Sequence, residues 1–316
     1  MENLIFSVNT VAPVFLIILL GIVFKKVKII DEGFVSTSSQ LVFNVSLPAL
    51  IFIGISKADF SAILSFKVIG IIYGGILFAF VFSWILSSIF IKEKDRKGPF
   101  IQGSLRGNTV IMGLALVMNV FGEQGVAEAS IIIAFIVPLF NLLSIISLTV
   151  PMHSGGAGSY KKVMLNLAKN PLFIAILVAL PFSLFSVHIP VVLDVSLSYL
   201  AKMTLPLALL GIGGSLSFSS VRTNFLLASA ASFIKIVVVP VLSLLAGIKL
   251  GVQGSALGII FIISATPTAI SSFVMAKAMG NDSQLAANII VISTLGSIFT
   301  IGIGVFILKM LNLLGI

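Results

Sequence analysis

The chain has 316 residues, of which 59% are hydrophobic and only 9% charged, with a formal net charge of +9 and no cysteine. A mean hydropathy of +1.24 leaves no room for a soluble domain and marks an all-α polytopic membrane protein. Disulfides and thiolate metal sites are excluded by the missing cysteines, and His153 and His188 fall in different connecting segments, too far apart in sequence to suggest a cluster.

A membrane helix needs about 20 mostly apolar residues, and ten charge-poor intervals near that length follow one another. The first half holds Asn3 to Phe24, Gly33 to Ser56, Val68 to Ile91, Gly98 to Gly122 and Ala129 to Met152. The second holds Asn170 to Val187, Val195 to Val221, Thr223 to Ile248, Leu250 to Ala276 and Ser283 to Leu308. Met1-Glu2-Asn3 lacks the basic start of a signal peptide, so the first interval is expected to be a retained span. Lysine and arginine accumulate in cytoplasmic loops. With the N-terminus outside, twelve of the nineteen basic residues fall in inner segments, four in outer ones and three inside spans. Both termini are therefore predicted on the outer side of the cell membrane, and the basic balance reflects topology, not a nucleic-acid surface.

A repeat runs through this pattern. Pro13 and Pro171 lie 158 positions apart, as do Pro48 and Pro206, and Gly122 and Gly280. Five spans per unit is odd, so the second unit enters the membrane from the opposite side. The expected organisation is an inverted repeat, residues 1–152 and 170–316, joined by a cytoplasmic loop at 153–169. Inverted repeats are a frequent architecture of secondary transporters, which hold substrate near the midplane on interrupted helices.

The ninth interval carries the clearest interruption, Ser264-Ala265-Thr266-Pro267-Thr268. Pro267 removes a backbone N–H and clashes with the carbonyl of Ile263, so the helix should kink or unwind there. Irregular backbone survives at membrane depth only when buried in protein or facing a watery cavity. By the repeat offset this stretch corresponds to the fourth interval, where Arg106-Gly107-Asn108-Thr109 through Gly113 supplies a second polar, glycine-bearing break at Gly107. Pro48 and Pro206 are expected to bend their helices by freeing the carbonyls of Asn44 and Lys202. Three cations lie inside spans, Arg106, Lys202 and Lys235, with Lys235 the deepest; each is a candidate for balancing substrate charge. No aspartate or glutamate lies well inside a span, which disfavours a buried-carboxylate proton relay.

Phe43-Asn44-Val45-Ser46-Leu47-Pro48-Ala49-Leu50, Asn108-Thr109-Val110-Ile111-Met112-Gly113, Thr204-Leu205-Pro206-Leu207-Ala208 and Thr266-Pro267-Thr268-Ala269 occur in this order along the chain. Together they resemble the auxin efflux carrier family, which includes plant auxin exporters and bacterial malate permeases, over essentially the whole length. The resemblance implies a ten-helix fold like that of bile acid sodium symporters, in which helices four and nine unwind and cross. Spans one, two, six and seven would then form a scaffold, with spans three to five and eight to ten as a moving core, and the family leans toward a homodimer. It implies a secondary carrier of small organic anions, with Asn108 at the position that meets the substrate carboxylate. Here Gly107 precedes that asparagine and Thr109 follows it, where the plant carriers place a proline beside it, and their long cytosolic loop is replaced by the short segment from His153 to Lys169.

The candidate binding set is thus Asn108, Thr109, Gly113, Thr266, Pro267 and Thr268, with Asn44 and Ser46 from the second span. The coupling ion stays open between sodium and a proton. A sodium-coupled symporter of amphipathic anions and a substrate-gated receptor or channel on the same scaffold are the alternatives. No catalytic Ser/His/Asp set, metal-ligand cluster or phosphate loop lies within the spans, so neither an enzyme nor a cofactor is expected.

Overall fold

The computed structural model describes residues 2–56, 66–152, 171–185, 187–215 and 224–315, and its regular elements are helical. They are α1 (Glu2–Lys26), α2 (Glu32–Ser56), α3 (Phe66–Phe90), α4 (Lys94–Leu105), α5 (Thr109–Thr149) and α6 (Pro171–Leu184). The rest are α7 (Val191–Ser215), α8 (Phe225–Lys249), α9 (Gly254–Ala265), α10 (Ser271–Ala278) and α11 (Ser283–Met310). Six of these, α2, α3, α5, α7, α8 and α11, are long and apolar enough to cross a membrane. The expected connecting loop at 153–169 lies outside the described residues.

Large apolar side chains stay exposed along the outer helix faces, among them Leu16 and Leu20 on α1, Leu226 on α8, and Phe299 and Ile303 on α11. So much uncovered apolar surface would aggregate in water; against lipid tails it needs no cover. The chain is a multi-pass membrane protein.

Prolines inside the helices leave different marks. Just before Pro48, residues Val42–Ser46 widen into a π-helical turn in which the Leu47 N–H reaches back to the Val42 carbonyl. The same turn, Ile234–Val238, stands two residues before Pro240. A proline cannot continue the regular ladder, and one extra residue in the preceding turn is a common way to absorb the mismatch. At Pro206, by contrast, α7 runs on without a break.

No open loop separates the fourth and fifth intervals. The helix is interrupted at one residue, Gly122, whose φ of 65° and ψ of −158° suit only glycine, and helix resumes at once. Gly280, its partner in the 158-residue offset, also has positive φ, 71°, between α10 and α11. Both glycines mark a turn.

The helices pack in two sets that also touch one another, α1 against α11 and α2 against α5. α1 lies along α7, and α2 lies along α6 and α7. Glycines bring α1 and α7 into backbone contact: a Cβ on Gly213 would strike the carbonyl oxygen of Ile18, and one on Gly21 that of Leu210. Small residues at such positions are what lets membrane helices approach closely. The remaining helices, α3 to α5 and α8 to α11, pack around α4 and α9, whose inner halves, Gly98 to Leu105 and Leu257 to Ala265, are buried without a gap.

Candidate functional site

The site is where two interrupted helices meet. α4 and α9 are each 12 residues long, and each is followed by non-helical backbone. The two breaks pair as an antiparallel bridge between Gly107 and Thr268. The Asn108 N–H donates to the Pro267 carbonyl at 2.7 Å, and the Ala269 N–H to the Arg106 carbonyl at 3.1 Å. At membrane depth unsatisfied backbone groups cost several kcal/mol each; here each break supplies partners to the other. The register differs slightly from the repeat alignment. α4 and α9 start 160 residues apart rather than 158, and the residue that pairs with Gly107 in space is Thr268, not Thr266.

Side chains collect the carbonyls that the breaks release. Pro267 has no N–H for Ile263, and the Ile263 carbonyl accepts the Thr266 hydroxyl at 2.8 Å. The Thr268 N–H, which a continuous helix would give to Ser264, goes instead to Ser293 Oγ on α11 at 3.1 Å. The freed Ser264 carbonyl accepts Lys235 Nζ at 2.6 Å. Across the bridge, the Gly103 carbonyl of α4 accepts the Thr268 hydroxyl at 2.8 Å.

These contacts gather residues from four separate stretches of sequence. A Cβ on Gly107 would strike Thr266 Oγ1 and stand 3.2 Å from both Lys235 Cε and Thr109 Cγ2. Gly113 faces Thr266 Cγ2, which a Cβ there would meet at 3.4 Å. Gly107, Thr109, Gly113, Thr266 and Lys235 therefore form one cluster, with Asn108, Pro267 and Thr268 completing the bridge. All of Thr266 to Ala269 is buried.

Not every polar group there is used. Thr109 Oγ1 is buried without a hydrogen-bond partner. Asn108 is only 7% exposed, and among the described residues its carboxamide makes no hydrogen bond. Arg106 donates through Nη1 to Asn141 Oδ1 at 2.9 Å and Ser144 Oγ at 3.1 Å. Both acceptors are neutral and lie on α5. Lys235 is 2% exposed and, among the described residues, it too lacks a carboxylate partner.

The other predicted residues lie elsewhere. Asn44 is exposed and donates its side-chain amide to the Gln40 carbonyl of its own helix at 2.9 Å. Ser46 is buried in α2 with its hydroxyl unpaired. Lys202 and Pro206 line an open cavity of about 830 Å³ between α1, α2, α5 and α7. Its walls are mostly apolar, including Leu50, Met118 and Leu205, with Asn119, Glu123 and Gln124 as polar points on α5. Ala115 also lines it; at 1.5 Å per helical residue it stands about 9 Å along α5 from Thr109.

Sequence reasoning did not single out Ser293, Asn141, Ser144 or the polar turn from Asn119 to Gln124. Asn141 and Ser144, three positions apart in a charge-poor interval, share a helix face, and that spacing was a readable signal. Ser293 carried none beyond being a hydroxyl in an apolar run.

Comparison with known proteins places the chain among membrane transporters. The family model described as membrane transport protein matches residues 6–154 and 157–304. An uncharacterized transporter of Methanocaldococcus jannaschii is 27% identical over 311 residues, covering 95% of this chain and 98% of its own. An uncharacterized transporter of Methanothermobacter thermautotrophicus is 24% identical, over 93% and 96% of the two chains. The uncharacterized transporter YfdV of Escherichia coli is 23% identical, over 98% and 100%. With nearly its whole length matched, the chain belongs to the membrane transport protein family, that of the auxin efflux carriers.

Proposed function

We propose that the protein is a secondary carrier of small organic anions, working by alternating access on a fold of ten membrane helices in two inverted repeats. The observation that carries the reading is the crossover itself. Two interrupted helices meet at Gly107 and Thr268; among the described residues, the Asn108 carboxamide and Thr109 hydroxyl beside the meeting point are unpaired, and the two cations Arg106 and Lys235 have neutral partners only. Intramembrane charge is expensive and marks substrate pathways; here its sign suits a carboxylate. The N-terminal end of α5, beginning at Thr109, adds a positive helix dipole aimed at the same place.

In this reading α1, α2, α6 and α7 are the scaffold and the remaining helices a core that slides past it, in the manner of an elevator. The cavity lies on that boundary, between α5 of the core and α1, α2 and α7 of the scaffold. Its volume suits a ligand of metabolite to drug size, and its apolar walls with a few polar points favour an amphipathic carboxylate over a bare inorganic anion. Substrate would enter there and reach Asn108 and Thr109 at the foot of α5.

Purified protein in liposomes, offered labelled mono- and dicarboxylates, tests the proposal. Saturable uptake that is accelerated by unlabelled substrate on the far side is the expected result. Flux that never saturates and shows no counterflow would point to a channel, and no flux with any organic acid would remove the carrier reading.

A further inference from the structure

We propose that the Lys235 ammonium is a tethered substitute for a coupling cation, so that the crossover is complete without bound sodium. The transport consequence rests on the carrier reading; the site itself does not.

A broken helix leaves carbonyl oxygens at the C-terminal end of its first half, where the helix dipole is negative, and such ends attract cations. In α9 that end is Ile263 to Ala265. Ile263 is served by the neighbouring Thr266 hydroxyl. Ser264 has lost its backbone donor, because the Thr268 N–H turns to Ser293. Into this position comes Lys235 Nζ, at 2.6 Å from the Ser264 oxygen, a short contact of the kind charge-assisted hydrogen bonds make.

The rest of the lysine is fitted to the same place. It stands in the π-helical turn Ile234–Val238 of α8, and its Cε runs beside Gly107, where any side chain would crowd it. It is buried to 2% exposure, and among the described residues no carboxylate answers its charge. A lysine held for an ordinary ion pair would have an acid beside it. This one has a helix end, which is what a free cation would have.

The carrier should therefore bind and move its substrate equally well with sodium or with choline as the bulk cation. Removing the ammonium should expose a position that a small free cation can fill. In detergent, the unfolding temperature of the wild-type protein should be the same in sodium chloride and in choline chloride of equal ionic strength. Lys235→Ser, which vacates the site and adds an oxygen, should be less stable in choline and regain part of the loss in sodium, saturably. Lys235→Met, which fills the space without charge or ligand, should lose stability in both salts alike.

Saturable stabilisation of the wild type by sodium would overturn the proposal, as would a folded Lys235→Ser that ignores sodium. Should neither variant fold, the wild-type pair of measurements decides alone, indifference supporting the proposal and sodium stabilisation sinking it. Unfolding needs no substrate, so failure of the carrier reading in the flux assay leaves this outcome separately readable.

Discussion

Asn108 and Pro267, 159 positions apart in the chain, are joined by a backbone hydrogen bond of 2.7 Å. The proline that forbids a continuous helix in α9 thus offers its own carbonyl to the residue that opens α5. The two interruptions satisfy one another, which explains how irregular backbone persists where water is scarce.

The unpaired polar groups at this crossing separate function from stability. Thr109 Oγ1 has no partner, so Thr109→Val removes a buried polar atom that stabilises nothing, and unfolding temperature should hold or rise. Asn108→Ala should likewise be well tolerated as to folding. Both should lower carboxylate uptake in liposomes by tenfold or more, corresponding to about 1.4 kcal/mol of lost substrate interaction. Unchanged uptake in both variants would move the binding site elsewhere.

Gly107 should not accept a side chain. A methyl group there strikes Thr266 Oγ1 and presses on Lys235 and Thr109, and overpacking of this kind costs about 1–3 kcal/mol. Gly107→Ala should therefore lower the unfolding temperature clearly, whereas Gly74→Ala in α3, where nothing stands within 4 Å, should change it little. Thermal unfolding of the two variants side by side checks this.

The α1–α7 contact predicts a second sensitive glycine. Gly213→Ala drives a methyl group into the Ile18 carbonyl, which is backbone and cannot swing away. A loss of stability of about 1–3 kcal/mol is expected, read in the same unfolding experiment. If α1 and α7 belong to a scaffold that stays still during transport, the folded fraction should keep its substrate affinity.

Among the described residues, the Arg106 side chain is held by Asn141 and Ser144. Arg106→Gln leaves those two acceptors short of donors and should cost about 1–3 kcal/mol. It should also weaken uptake of dicarboxylates more than of monocarboxylates, because a positive charge beside Asn108 is lost. Equal effects on both substrate classes would assign Arg106 to structure only.

Filling the cavity is the remaining test. Ala201 on α7 faces the 830 Å³ space, so a phenyl ring there has room. Ala201→Phe should leave unfolding nearly unchanged while cutting flux, and retained full flux would mean that substrate takes another route.

What the sequence alone determined is what depends on local composition. The helices occupy the charge-poor intervals because transfer of apolar residues into lipid is nearly additive along the chain. The break at Pro267 follows from the chemistry of one residue, whereas Gly122 and Gly280, paired in the sequence only by their offset, proved to be turns with positive φ. Which group serves a freed carbonyl is a different matter, because it depends on what the folded path brings near. Nothing around Lys235 in sequence names Ser264, nothing around Thr268 names Gly103, and Asn44, equally polar on paper, ended on an exposed helix face bonded to Gln40. Hydrophobicity is summed locally, whereas hydrogen bonds are directional and reach only about 3 Å, so only the tertiary structure could choose the partners that make the crossover a site.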